Sequence, residues 1–108
     1  MRVEIHEALW LDERQQFSLA ELAELSGLPE IELRQLMDYA ALAPADPDAT
    51  EARFSADCLV TARVARRLRD DFDLDAGALA LTLSLLERIR DLEGELRALR
   101  AHFPQWHK

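Results

Sequence analysis

The sequence predicts an all-α fold, and three observations carry that prediction. Leu, Ala, Glu and Arg dominate the 108 residues, while glycine occurs three times, a composition of high helix propensity. Helix start and stop signals recur along the chain, and the apolar residues between them fall mostly three and four apart, the spacing of a helix face. Near the C-terminus Leu85, Ile89, Leu92, Leu96, Leu99 and Phe103 are spaced 4, 3, 4, 3, 4, the a/d seam of a helix that pairs with another helix. A chain of this length is expected to form one compact domain whose modest core dimerisation would help stabilise.

The elements follow in order. Residues 2–10 partly alternate, with Val3 and Ile5 between Arg2, Glu4 and His6, the period of a short strand. Ser18 and Glu21 form a capping box, in which each side chain satisfies a backbone N–H at the helix start. Leu19, Leu22, Ala23 and Leu25 supply an apolar face and Gly27 a stop, so helix 1 is predicted over 19–26. Pro29 suits the first turn of the next helix, whose N–H groups have no partner anyway. Helix 2 is predicted over 29–40, with Ile31, Leu33, Leu36, Met37 and Ala40 as core candidates. Two helices joined by so short a turn make a helix-turn-helix.

Residues 43–52 are rich in proline and acids without an apolar period, and Phe54 follows in a short extended stretch, which reads as a loop or small wing. Ser55 is positioned to cap helix 3, predicted over 56–71, with Val60, Val64 and Leu68 on one face and Arg63, Arg66, Arg67 and Arg69 on another. Asp75 caps a long helix 4 over 76–102. The organisation is thus a helix-turn-helix region with a short wing over 1–75 and a long C-terminal helix over 76–108.

The leucine seam has two explanations: the same residues can pack against helices 1 to 3 or against a partner helix. Length favours the partner, because the advance from Leu85 to Phe103 spans about 27 Å at 1.5 Å per residue and would overhang a core built of short helices. The flanking Arg88, Glu93, Glu95 and Arg100 bring opposite signs together in parallel or antiparallel pairing, so orientation stays open.

Charge is divided unequally. Residues 1–57 hold 13 acids against four arginines, whereas residues 58–108 hold nine bases against eight acids. Nucleic-acid binding draws its affinity from Lys and Arg neutralising phosphates, commonly about 6 to 10 of them, and an acidic end repels a duplex. A basic protein surface is the expected partner of that end. The arginine row of helix 3 is the one candidate nucleic-acid patch, and Asp70, Asp71 and Asp73 beside it suggest a solvated, paired face instead.

Other chemistry has little support. The lone Cys58 allows no internal disulfide and no multi-cysteine zinc site, and reads as a small, buried helix thiol. His6, His102 and His107 have neither nucleophile-partner nor metal-ligand arrangement, so no metal, cofactor or enzymatic activity is expected. Trp10 and Trp106 read as packing residues or partner anchors. No apolar run approaches the roughly 18 residues of a membrane span, and the acidic N-terminus lacks the pattern of a signal peptide; the cytoplasm is expected.

The run Phe17-Ser18-Leu19-Ala20-Glu21-Leu22-Ala23-Glu24-Leu25-Ser26-Gly27-Leu28, with Leu33-Arg34, Tyr39, Leu42-Ala43-Pro44 and Phe54-Ser55, resembles the opening of MerR-type regulators. Arg67-Leu68-Arg69, Leu74, Gly77-Ala78-Leu79-Ala80-Leu81 and Leu83-Ser84-Leu85-Leu86-Glu87-Arg88-Ile89 resemble the CbpM chaperone-modulator family, whose members have a MerR-like fold. Ala41 stands where these proteins commonly have glycine before Leu42. The resemblance implies a MerR-like helix-turn-helix that binds the J-domain of a CbpA-type, DnaJ-like co-chaperone, blocking its stimulation of DnaK; the seam adds the expectation of a homodimer through the last helix. J-domains engage DnaK through a basic helix, so the implied contact residues are the acids of helices 1 and 2, Glu21, Glu24, Glu30, Glu32 and Asp38, with Tyr39 as an apolar anchor. A MerR-type DNA-binding regulator is the alternative.

Overall fold

The computed structural model describes residues 15–102. The elements run β1 (Gln16–Phe17), α1 (Leu19–Ser26), α2 (Glu30–Asp38), β2 (Phe54–Ser55), α3 (Ala56–Phe72) and α4 (Ala76–His102). This is the predicted all-α architecture with its long final helix. The strand expected at 2–10 lies outside the described residues, as do His6, Trp10, Phe103, Trp106 and His107.

The capping box at the head of α1 forms as its sequence requires. The Glu21 N–H donates to Ser18 Oγ at 3.1 Å, and the Ser18 N–H donates to Glu21 Oε1 at 2.8 Å. At the other end Gly27 takes φ 82 and its N–H donates to the Ala23 carbonyl at 2.9 Å. A left-handed residue there favours glycine because it lacks Cβ; a Cβ on Gly27 would also sit 2.8 Å from the half-exposed Arg66 side chain, which can swing aside. The buried Ser26 hydroxyl accepts the Leu28 N–H at 3.2 Å, so the turn satisfies its polar groups while Leu28 enters the core.

α2 is shorter at both ends than the predicted 29–40. Pro29 occupies the N-cap in an extended conformation, and its carbonyl accepts the N–H groups of Glu32 and Leu33. At the C-terminus Ala40 adopts φ 62. The Ala41 N–H bonds the Leu36 carbonyl and the Ala40 N–H the Met37 carbonyl, both at 2.9 Å, the paired bonds of a Schellman motif. The left-handed position that favours glycine is therefore Ala40, one residue before the Ala41 singled out from the sequence. Ala40 is exposed rather than core, because the helix has ended before it.

β1 and β2 pair antiparallel with Gln16 opposite Ser55 and Phe17 opposite Phe54, which points both phenylalanines into the core. The Ala45 N–H bonds the Arg53 carbonyl at 2.8 Å and closes the predicted loop or small wing. Ser55 does stand at the N-cap of α3, without a side-chain capping bond. α3 packs against α1, α4 and β2, so its buried arc is wider than one stripe: Leu59, Ala62 and Ala65 are buried beside the predicted Val64 and Leu68, and Val60 is half-buried. Cys58 is half-buried, with its thiol 3.4 Å from the Ala43 carbonyl.

Asp75 caps α4 as expected, its carboxylate accepting the Ala78 N–H at 2.9 Å. The core joins Phe17, Leu22, Leu28, Leu33, Leu36, Phe54, Leu59 and Leu79 among others, and a fully buried leucine or phenylalanine of this kind stabilises the fold by about 1.5–3 kcal/mol. The two left-handed positions of the helix-turn-helix should respond oppositely to substitution in urea unfolding. Gly27→Ala adds Cβ strain at a left-handed position and should destabilise by about 1–2 kcal/mol; Ala40→Gly relieves that strain, offset by unfolded-state entropy, and should stabilise by up to about 1 kcal/mol.

Candidate functional site

The face of interest is built by α1 and α2, which bury one side and present the other to solvent. On α1, Leu22 is buried and Leu19 and Ala23 pack against the core, leaving Glu21 and Glu24 outside; Leu25, expected inside, is exposed at the helix end. On α2 only Leu33 and Leu36 are buried, with Met37 packed beside them. The outward side carries Glu30, Ile31, Arg34, Gln35 and Asp38. Ile31 is thus corrected from core to surface. The helix is nine residues long, and Ile31 falls on the side opposite Leu33 and Leu36.

The six residues expected to bind a partner lie on this pair of helices but do different work. Glu21 belongs to the capping box, and the Ser18 backbone N–H and hydroxyl, with Arg53 in a lesser part, hold its carboxyl below the usual carboxylate range. Glu30 pairs with Arg34 one turn on, at 3.9 Å and well exposed, a contact worth at most about 0.5 kcal/mol. Glu32 is partly covered and bonds Arg69 of α3. Glu24 and Asp38 are exposed and have no hydrogen-bond or ion-pair partner for their side chains among the described residues. Tyr39 is exposed at the end of α2, yet its hydroxyl would lie 3.3 Å from a Cβ on Gly77, so it also borders the first turn of α4.

Arg69 is the residue that local sequence reasoning could not place. Its Nη1 donates to Glu32 Oε2, while Nε and Nη2 donate to Asp70 Oδ1 at 3.2 and 3.0 Å. Asp70, followed by Glu32, pushes the guanidinium pKa up. Glu32 and Arg69 are 37 positions apart, and only the tertiary fold joins them. Along the same arginine row Arg66 lies 3.5 Å from Asp70, and Arg63 Nε donates to the Leu25 carbonyl at 3.3 Å. Arg63, Arg66 and Arg67 line an open cleft with Leu25, Ser26, Asp70 and Asp71. Two of the four arginines are therefore paired with a neighbouring aspartate, in the way the sequence suggested.

The seam residues occupy a second face. Leu85, Ile89, Leu92, Leu96 and Leu99 are 55, 51, 46, 46 and 45% exposed, whereas Leu79 is buried and Leu83 and Leu86 pack on the core. α4 therefore has two apolar sides, one used by its own chain and one not. Phe103 lies outside the described residues. Among the described residues no group of three or more His, Cys, Asp or Glu is placed to hold a metal ion, and no helix is long and apolar enough to cross a membrane.

A helix-turn-helix followed by a short loop or wing, with a two-stranded pairing of β1 and β2 and a long final helix, defines a class of regulatory proteins. The comparison with family models agrees: the one described as MerR HTH family regulatory protein matches residues 17–101. The chain belongs to the MerR helix-turn-helix family. No curated protein matches it.

Two consequences of this geometry are measurable. Arg69→Met leaves Glu32 partly buried without its cation and removes a link between α2 and α3, so it should lower stability by about 1–3 kcal/mol in denaturant unfolding. The Glu21 carboxyl has a depressed folded-state pKa, so its contribution is present above the usual carboxylate range and is lost as pH falls through the depressed value. Glu21→Gln should accordingly make the acid-side decline of the unfolding midpoint shallower than in the parent protein.

Proposed function

We propose that this MerR-family protein is a non-enzymatic, cytoplasmic chaperone modulator. It binds the J-domain of a DnaJ-like co-chaperone through the helix-turn-helix region within residues 1–75, inhibits stimulation of DnaK, and dimerises through the helix within 76–108. The observation that carries this reading is the charge of the α2 face that a helix-turn-helix offers to a macromolecule. Its single base, Arg34, pairs with Glu30, while Asp38 on α2 and the neighbouring Glu24 on α1 stand unpaired among the described residues. Phosphates would be repelled there, whereas a basic helix meets complementary charge. The resemblance of residues 67–89 to CbpM-type modulators, carried by the leucine-rich start of α4, supports the same partner.

The distribution of roles among the acids refines which of them should contact that partner. Glu21 and Glu32 are committed to the cap and to Arg69, so Glu24 and Asp38 are the acids whose charge is fully available, with the exposed Glu30 shared with Arg34 and Tyr39 beside them. The exposed row Leu85, Ile89, Leu92, Leu96 and Leu99, with Phe103 next in the heptad spacing of the sequence, is the proposed contact between two copies. A row of five half-exposed large apolar side chains is unusual on a monomer's surface, because contiguous apolar patches mark interaction surfaces.

A salt series with purified components tests the reading. Binding to a J-domain, loss of J-domain-stimulated DnaK ATPase on addition of the protein, and no retention on duplex DNA are expected. Retention on DNA with a steep salt slope, and no effect on the ATPase, would instead assign the chain to DNA-binding MerR-type regulators. Leu92→Asp combined with Leu96→Asp should yield a monomer in sedimentation velocity with its helix signal largely retained; a persisting dimer would refute the seam.

A further inference from the structure

Ile31 is the most exposed large apolar side chain among the described residues, at 67%. Nothing in α2 itself accounts for it. A β-branched residue is a poorer helix former than the Leu, Glu and Gln around it, and Ile31 contributes nothing to the buried core. Isolated apolar residues on a surface are ordinary, but the position of this one is specific. Arg34, Gln35 and Asp38 follow it at three, four and seven residues, all exposed, the set that shares one helix face. The exposed Pro29 and Glu30 border it on the N-terminal side. The result is an apolar centre ringed by polar and charged groups, the layout of a binding hot spot inside a hydrated rim.

We infer that Ile31 anchors the partner contact and that the outward face of α2, rather than α1, is its centre. The occupant is a basic amphipathic helix that offers an apolar pocket between Lys or Arg side chains. This deepens the reading above and rests on it. Charge selects the occupant: a duplex would set phosphates against Glu30 and Asp38, and a second copy of the chain would set like charges face to face. Division of labour follows, with Glu24 and Asp38 steering encounter and Ile31 limiting escape.

Surface plasmon resonance on the full-length chain, with a purified DnaJ-like J-domain as analyte at low and at physiological salt, separates these roles. Ile31→Ser should speed dissociation about tenfold or more while leaving the salt dependence and the circular dichroism spectrum unchanged. Ile31→Leu should retain most of the affinity, and Asp38→Lys should slow association and flatten the salt dependence. Wild-type dissociation from Ile31→Ser, in an experiment where the parent protein binds, would overturn the anchor and leave the chaperone-modulator reading standing. Absence of binding by the parent protein would overturn both. Duplex DNA retention that disappears in Ile31→Ser would give the face to nucleic acid and overturn the basic-helix occupant.

Discussion

The backbone at Gly27 is the constraint on which the other features depend. Its left-handed conformation and the Ser26 hydroxyl on the Leu28 N–H together set the angle between α1 and α2. Once that angle is set, Leu22, Leu28, Leu33 and Leu36 meet in one core. The same rotation puts Glu24, Glu30, Ile31 and Asp38 outside. Had the turn admitted another conformation, the buried set and the exposed set would both have changed, since the sides of a short helix move together.

Electrostatics then divides these helices into structural and available charge. Glu32 and Asp70 surround Arg69, which ties α2 to α3, and Glu21 is spent on its own helix end. An acid with a nearby donor gains a directional hydrogen bond and holds part of the fold; one without such a donor contributes mainly to the field in front of the surface. Counting acids along the chain cannot separate these two populations. Distances can.

The legibility of the fold in the sequence tracks the range of the interaction responsible. The capping box at Ser18 and Glu21, the stop at Gly27 and the cap at Asp75 are local, involving residues at most a few positions apart, and each lies where its motif predicts. The bounds of α1 and α4 follow from them. Ile31 was misread because a nine-residue helix offers too few turns for periodicity to separate the inner from the outer side. The stripe of Val60, Val64 and Leu68 misses the buried Leu59, Ala62 and Ala65 because α3 is covered on several sides, and a single stripe does not describe such a helix. The Glu32 to Arg69 contact and the left-handed Ala40 were invisible for a related reason: the first is made by tertiary folding, and the second sits where glycine would have been the signal. Of the candidate site, the acidic character was readable from composition, while the distinction between bound and available acids was not.

The two-sided apolar character of α4 has a consequence for how tightly the chain is folded. Leu79, Leu83 and Leu86 contribute their burial within one chain, but the outward row from Leu85 to Leu99 leaves about half of its surface in water until something covers it. On the proposed pairing of two copies, part of the hydrophobic free energy encoded in the sequence is conditional on concentration. A dilute chain is held by its small core alone, and any species that covers the row raises its melting temperature by mass action. For a protein that pairs in the proposed way, abundance is itself a determinant of stability.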